Sequence, residues 1–99
     1  MVAKKLKIIW SQQAILSLKE IYLYFKPKSL QGAKNVKKDI LQTVKEIKFE
    51  KQYQIDEINP KYRRMIVRDY KILYLPKNKR IEIIDIVSTK RSNDYIEKL

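Results

Sequence analysis

The chain begins with an alternation of apolar and basic residues that predicts a β-strand. Leu6, Ile8 and Trp10 alternate with Lys5 and Lys7, which is the period of a strand with one buried face. The next apolar residues recur at a different spacing, so the strand is expected to end at Trp10.

Two helical patterns follow the strand. Ser11 is a candidate N-cap, and apolar residues then recur every three or four positions over residues 12–26, which predicts an amphipathic helix that ends at Pro27. Ser29 is a second candidate N-cap. It precedes another apolar stripe at helical spacing: Ala33, Val36, Ile40, Val44 and Ile47. The tight connection predicts an antiparallel helical hairpin whose lysine-rich outer side faces solvent.

The C-terminal half reads as strands. Residues 49–60 show no period and contain an acidic pair, Asp56 and Glu57, so they are expected to form a loop or a short edge piece. Residues 62–68, 70–75 and 80–88 are rich in Ile, Val and Tyr, and the turn composition of residues 76–79 joins the last two runs. Residues 92–99, with Ser92 as cap and Ile96 and Leu99 as anchors, predict a short terminal helix.

The order β-α-α-β-β-β predicts an α+β fold in which a helical hairpin packs on one face of a small antiparallel-rich sheet. A chain of 99 residues has room for one core, so residues 1–99 are expected to form a single domain. The apolar patch near the N-terminus is too short for a signal peptide or a membrane span, which predicts a cytoplasmic protein that does not contact a membrane.

Charge points to a polyanionic partner. Lys and Arg number 23 and Asp and Glu 11, giving a net charge of +12. Nucleic acid, the ribosome, an anionic membrane surface or an acidic protein would each fit that charge. The chain has neither Cys nor His, which excludes thiol chemistry, histidine bases and Cys/His zinc sites. We therefore expect no metal and no small-molecule cofactor.

Basic residues are dense between residues 61 and 91. If strand alternation holds, Arg64 and Arg68 share a side of the sheet, and Lys71 and Arg91 could join them in a concave cationic face. Further cations that could bind nucleic acid or a partner lie nearby: Lys61, Arg63, Arg68 and Lys90. The tyrosines of this region could stack on RNA bases, although Tyr70 and Tyr74 fit better as packing residues.

Such residues could assemble a metal-independent ribonuclease. Clustered Arg would neutralise the phosphorane, while a Lys or Tyr with a shifted pKa would have to move the protons. The sequence provides these residue types without showing their geometry.

Several motifs together resemble the RelE/ParE toxin superfamily of type II toxin–antitoxin systems, also called plasmid stabilisation proteins. The N-terminal part is Ile9-Trp10-Ser11 followed by Ala14, Leu18 and Glu20-Ile21-Tyr22 with Tyr24. The C-terminal part is Tyr62-Arg63-Arg64-Met65-Ile66-Val67 followed by Tyr70-Lys71-Ile72-Leu73-Tyr74, and then a closing strand and basic tail at residues 83–91. The resemblance covers nearly the whole chain in the family's order.

This resemblance implies the fold derived above and a cognate antitoxin that covers the active surface. It also implies one of two targets. RelE-like members cut ribosome-bound mRNA with Lys, Arg and a C-terminal Tyr, whereas ParE-like members poison DNA gyrase and lack that set. Carried over by motif, the catalytic residues would be Arg64, Lys71, Arg91 and Tyr95.

Two departures affect this assignment. Lys71 stands where the family motif has Arg, which keeps the charge and loses the planar fork, and Tyr95 follows the basic pair at a shorter interval. We favour the mRNA-cleaving branch. A gyrase inhibitor and a non-toxic protein that only binds its antitoxin or DNA stay open as alternatives.

Overall fold

The computed structural model describes residues 6–91 and 93–99; Lys5 and Ser92, the predicted cap of the terminal helix, lie outside the described residues. The elements follow in the predicted order, which confirms the α+β fold. They are β1 (Lys7–Trp10), α1 (Gln12–Phe25), α2 (Leu30–Lys45), β2 (Arg63–Val67), β3 (Tyr70–Lys77), β4 (Arg80–Ser88) and α3 (Asn93–Glu97).

Serine caps begin both long helices. The Ser11 Oγ accepts a hydrogen bond from the Ala14 N–H at 3.0 Å, and it also donates to the Ile84 carbonyl at 2.7 Å, so this cap fixes α1 against β4. The Ser29 Oγ accepts from the Gly32 N–H at 2.9 Å at the start of α2. Local sequence therefore sets the entry of both helices, as predicted.

The sheet is mixed, in the order β1-β4-β3-β2. β1 pairs with β4 in parallel, and β4-β3 and β3-β2 are antiparallel hairpins. Both hairpins turn through two residues. Asn78 and Lys79 have positive φ values of 22° and 63° in the second turn, and Arg68 has a φ of 53° in the first.

Both faces of the sheet are covered. The hairpin α1-α2 packs on one face, where Met65, Ile72 and Ile83 meet Ile21 and Ile40. Strand alternation directs the next residues to the other face. There α3 and residues 58–62 cover a second cluster around Tyr62, Leu73, Val87 and Ile96. The second face is therefore a small core flanked by polar groups.

Candidate functional site

A buried carboxylate, Asp56, lies at the centre of a cluster of polar groups beside β2 and β3. Asp56 is fully buried, and its Oδ1 accepts from the Lys71 Nζ at 2.7 Å while the Arg64 Nη1 lies 3.9 Å away. Its Oδ2 accepts from the backbone N–H groups of Ile58 at 3.1 Å and Asn59 at 2.8 Å. Asp56 thus closes the loop before β2 and neutralises a lysine of β3.

The pKa of Asp56 lies below its usual value. Burial raises the pKa of this carboxyl. The hydrogen bonds from Lys71, Asn59 and Ile58 and the charge of Lys71 lower the pKa, and their combined effect is larger than that of burial. The carboxylate stays ionised at neutral pH. The Lys71 ammonium is 7% exposed, so an incoming phosphate has little access to it.

A second buried carboxylate, Asp85, organises the C-terminal tail. Asp85 is fully buried in β4, where its Oδ1 accepts from the Ser17 Oγ at 2.5 Å and from the Ile86 N–H at 2.7 Å. Its Oδ2 accepts from the Tyr95 hydroxyl at 2.7 Å. One carboxylate therefore connects α1, β4 and α3.

Tyr95 is positioned as a proton donor to Asp85. The hydrogen bond to Asp85 raises the pKa of the Tyr95 phenol, and burial and the Asp85 charge raise it further, against the opposing charge of Arg91. The Arg91 guanidinium lies 3.8 Å from the centre of the Tyr95 ring. Arg91 remains exposed at the surface despite this contact.

An open groove of about 860 Å³ runs between α1 and the end of β4; we call it the α1 groove. Its cations are Lys28, Lys90 and Arg91, and its aromatic walls include Tyr24 and Tyr95. Its remaining lining comprises Gln13, Leu16, Ser17, Glu20, Ile21, Phe25, Asp69, Tyr70, Ile86, Val87 and Ser88. The groove therefore combines apolar side chains with three cations and two carboxylates.

Tyr24 is an ionisable group of the α1 groove that sequence reasoning did not select. The Lys28 Nζ lies 4.0 Å from the centre of the Tyr24 ring. A hydrogen bond from Lys28 and the Lys28 charge lower the pKa of the Tyr24 phenol, with a smaller contribution from Lys90. Lys28 lies in the turn after the end of α1, so the helical period gave no signal for this contact.

The structure separates the four residues selected as catalytic. Arg64 and Lys71 share Asp56, whereas Arg91 and Tyr95 stack on each other beside Asp85. Arg64 also donates to Glu57 at 3.2 Å, and its side chain is 18% exposed. These contacts divide the four residues between two carboxylate-centred clusters.

The expectation that Arg64 and Arg68 share a side of the sheet is wrong. Arg64 lies in β2 and reaches the loop before it, whereas the Arg68 Nε contacts the Asp39 Oδ2 of α2 at 2.8 Å, on the hairpin side. The reason is the turn: β2 ends at Val67, and the left-handed backbone at Arg68 breaks the alternation of sides.

The remaining predicted binding residues are dispersed. The Lys61 Nζ donates to the Leu99 carbonyl at 2.9 Å, and the Arg63 Nη1 donates to the Tyr53 carbonyl at 2.8 Å. Of Lys61, Arg63, Arg68 and Lys90, only Lys90 lines the α1 groove. Tyr74 is fully buried, which confirms its assignment as a packing residue.

Sequence reasoning missed Asp56 and Asp85 as organising groups. Asp56 was visible as part of an acidic pair in a basic chain, and Asp85 as a single carboxylate between Ile84 and Ile86 in an apolar strand. A carboxylate in an apolar run needs buried partners, which was the signal available for Asp85.

In the described part of the chain, no three acidic side chains converge as metal ligands would. No helix among the described residues is both long and apolar enough to cross a bilayer.

Comparison with known proteins identifies the family. A family model described as the ParE toxin of the type II toxin–antitoxin system parDE matches residues 8–93. A solved structure entitled "Chromosomal ParDE TA system from P. aeruginosa" shares the fold with a TM-score of 0.72 and 19% sequence identity, over 84% of this chain and 95% of that one. No curated protein sequence matches. Because the family model covers most of the chain, the protein belongs to the ParE toxin family of type II toxin–antitoxin systems.

Proposed function

We propose that this toxin inhibits DNA gyrase by binding it and does not cleave mRNA. One observation carries the proposal: three of the four side chains that a ribonuclease would need already contact a buried carboxylate, either Asp56 or Asp85. Asp56 holds Lys71 and Arg64, and Asp85 holds the Tyr95 hydroxyl. The match to a ParE model supports the same branch, since the family resemblance associates ParE-like members with gyrase.

The chemistry of RNA cleavage explains why this observation matters. A ribonuclease without His must take a proton from the 2′-hydroxyl, neutralise the phosphorane and return a proton to the leaving oxygen. Lys71 is buried and its charge is already neutralised, and the raised pKa of Tyr95 makes its phenolate less available as a base. Of the four candidate residues, only Arg91 keeps an exposed guanidinium, and one cation supplies only phosphorane neutralisation.

A paired assay tests the target. Purified protein is incubated with gyrase, ATP and relaxed plasmid, and in parallel with ribosomes and message in a cell-free translation reaction. We expect inhibited supercoiling and linear plasmid after detergent and protease treatment, with message that stays intact by primer extension. Tyr95→Phe should inhibit gyrase as the wild type does. Cleaved message with unaffected supercoiling would overturn the proposal, especially if Tyr95→Phe abolished the cleavage.

We further propose that the cognate antitoxin occupies the α1 groove with an acidic and apolar segment. A toxin of this family implies an antitoxin partner, and the groove offers complementary chemistry. Leu16 and Tyr24, which line it, are 48% and 60% exposed, and Lys28, Lys90 and Arg91 are its cations. Gyrase and antitoxin are both cytoplasmic, so the proposal retains that location.

A pair of matched arginine variants tests the groove. Arg91→Ala should weaken antitoxin binding at least tenfold by calorimetry and leave the thermal melt nearly unchanged. Arg68→Ala removes an exposed arginine on the hairpin side and serves as the control, with affinity close to wild type. Equal affinities for the two variants would place the antitoxin elsewhere.

A further inference from the structure

Four exposed lysines of α2 form a single cationic surface, which we call the lysine stripe: Lys34, Lys37, Lys38 and Lys45. At about 100° per residue they fall within an arc of about 100° on the helix, and Lys34 to Lys45 spans about 16 Å along the axis. They line a shallow cavity of about 500 Å³ with Tyr22, Leu41 and Gln42.

The lysine stripe has no carboxylate partner among the described residues, unlike Arg64, Lys71, Lys77 and Arg80 of the sheet. The ion pairs of the described chain involve Arg64, Arg68, Lys71, Lys77 and Arg80. The two acidic residues nearest in sequence contact other side chains: Asp39 pairs with Arg68, and Glu46 accepts from Gln42, which lines the same cavity as the stripe.

This arrangement is unfavourable for the helix itself. Lys34 and Lys38 are four residues apart, and Lys34 and Lys37 are three apart, so like charges adjoin on consecutive turns. The helix contains no acidic residue in its first turn that would offset them. A surface that only had to be soluble would be more stable with alternating signs, so the uniform charge calls for a ligand.

We propose that the lysine stripe binds the phosphate backbone of duplex DNA. Lysines act as point charges on phosphates and, without Arg, offer no fork for reading bases. The half-buried Tyr22 is the aromatic residue of the stripe's cavity, and it is less available for stacking on single-stranded bases than an exposed ring. Duplex DNA carries one charge per about 1.7 Å of axis, so it supplies a phosphate for every lysine over about 16 Å.

A membrane surface fits the lysine stripe less well. A helix that lies in a lipid interface inserts its own apolar face, whereas the apolar face of α2 is packed on the sheet through Val36, Ile40 and Val44. The DNA assignment also deepens the proposed function and rests on it in one respect, because gyrase holds duplex DNA where such a contact could form.

Direct binding without gyrase tests the inference separately from the proposed function. Anisotropy of a labelled 24-base-pair duplex is measured from 50 to 300 mM KCl for the wild type and two variants. The stripe variant carries Lys→Gln at Lys34, Lys37, Lys38 and Lys45. The control carries Lys→Gln at four other exposed lysines, Lys19, Lys26, Lys51 and Lys98, and so has the same net charge.

We expect the stripe variant to lose about 3.6 units from the slope of log affinity against log salt, at about 0.9 per phosphate contact, and the control to lose about one unit or less. At 100 mM KCl the stripe variant should bind at least about 30-fold more weakly than the control. Circular dichroism verifies that both variants are folded.

Three results would overturn the inference. Equal slope losses in the two variants would mean that net charge alone attracts the duplex. Tighter wild-type binding to a single-stranded 24-mer or to a 24-base-pair RNA duplex, lost in the stripe variant, would assign the surface to that nucleic acid. Unchanged DNA binding, with stripe-dependent binding to vesicles of phosphatidylglycerol and phosphatidylcholine, would assign it to lipid.

Discussion

The pair between Asp56 and Lys71 allows one prediction that separates a structural lysine from a catalytic one. The perturbations are Asp56→Asn, Lys71→Met and the double variant. Each single change leaves the partner buried without its counter-charge, because Asp56 is fully buried and Lys71 is 7% exposed. The double change removes both charges together.

The magnitude follows from the geometry. At 2.7 Å the gross attraction between two unit charges is about 6 kcal/mol at an effective dielectric constant of about 20, and desolvation offsets much of it. Removing one partner of such a buried pair costs about 3–5 kcal/mol. At about 4 °C or more per kcal/mol for a domain of this size, each single variant should melt at least about 12 °C lower.

The double variant should be less destabilised than the sum of the singles, for a specific reason. The two Asp56 oxygens serve different donors, Lys71 on one side and the Ile58 and Asn59 N–H groups on the other. Asn has one oxygen, so in Asp56→Asn its amide group must face either the ammonium or the backbone donors. With Met at position 71 that conflict disappears, and we expect a coupling free energy of about 2–3 kcal/mol.

Urea unfolding followed by circular dichroism measures the four proteins of the cycle, and growth inhibition on induction measures toxicity. We expect the double variant to retain toxicity once it is folded at the assay temperature. The reasoning is refuted if Lys71→Met leaves stability within about 0.5 kcal/mol of wild type and abolishes toxicity. That result would make Lys71 a functional cation that Asp56 merely accompanies.

The other predictions concern the second carboxylate, the lysine stripe and pH. Tyr95→Phe removes a donor from buried Asp85 and should cost about 1–3 kcal/mol in urea unfolding; an unchanged midpoint would contradict the hydrogen bond. Lys34→Glu pairs with lysines three and four residues later, so it should stabilise the protein by about 0.5 kcal/mol while weakening duplex binding; weaker stability would argue against repulsion within the stripe. Because the folded pKa of Asp56 is depressed, its contribution to stability is present above the unfolded pKa of about 3.9 and is lost as pH falls through the lower folded value. Urea midpoints from pH 6 to pH 2 should therefore fall less steeply in Asp56→Asn than in the wild type.

Local signals in the sequence were sufficient to predict the two long helices. The Ser11 and Ser29 caps and the apolar period of each helix are encoded within a few residues, and the structure realises them at those positions. The parallel pairing of β1 with β4 is different, since Ile8 and Ile81 meet across the whole chain. No local pattern specifies that partner.

The candidate site was harder to predict because it depends on which side chains are neutralised. Lys71 has the sequence context of a strand residue on a cationic face, yet its partner Asp56 lies 15 residues earlier in a segment without any period. Arg68 is four residues after Arg64, so strand alternation places both on the same side of the sheet. Arg68 instead lies in the turn after β2, where its positive φ directs the side chain to Asp39. Both outcomes depend on tertiary contacts between segments that periodicity treats separately.

The position of the unpaired charges, more than their number, indicates where a polyanion can bind. The sequence places its densest run of cations in the C-terminal half, but buried or half-buried acceptors hold Arg63, Arg64 and Lys71 there. Each carboxylate that holds such a cation lowers the field available to a phosphate at that place. The lysines of α2 have no carboxylate partner among the described residues, so a helix side that was expected to be only solvated carries four exposed charges that a polyanion can reach. The salt dependence of duplex binding, compared between the wild type and the variant that lacks the four lysines, tests that surface independently of the toxin's target.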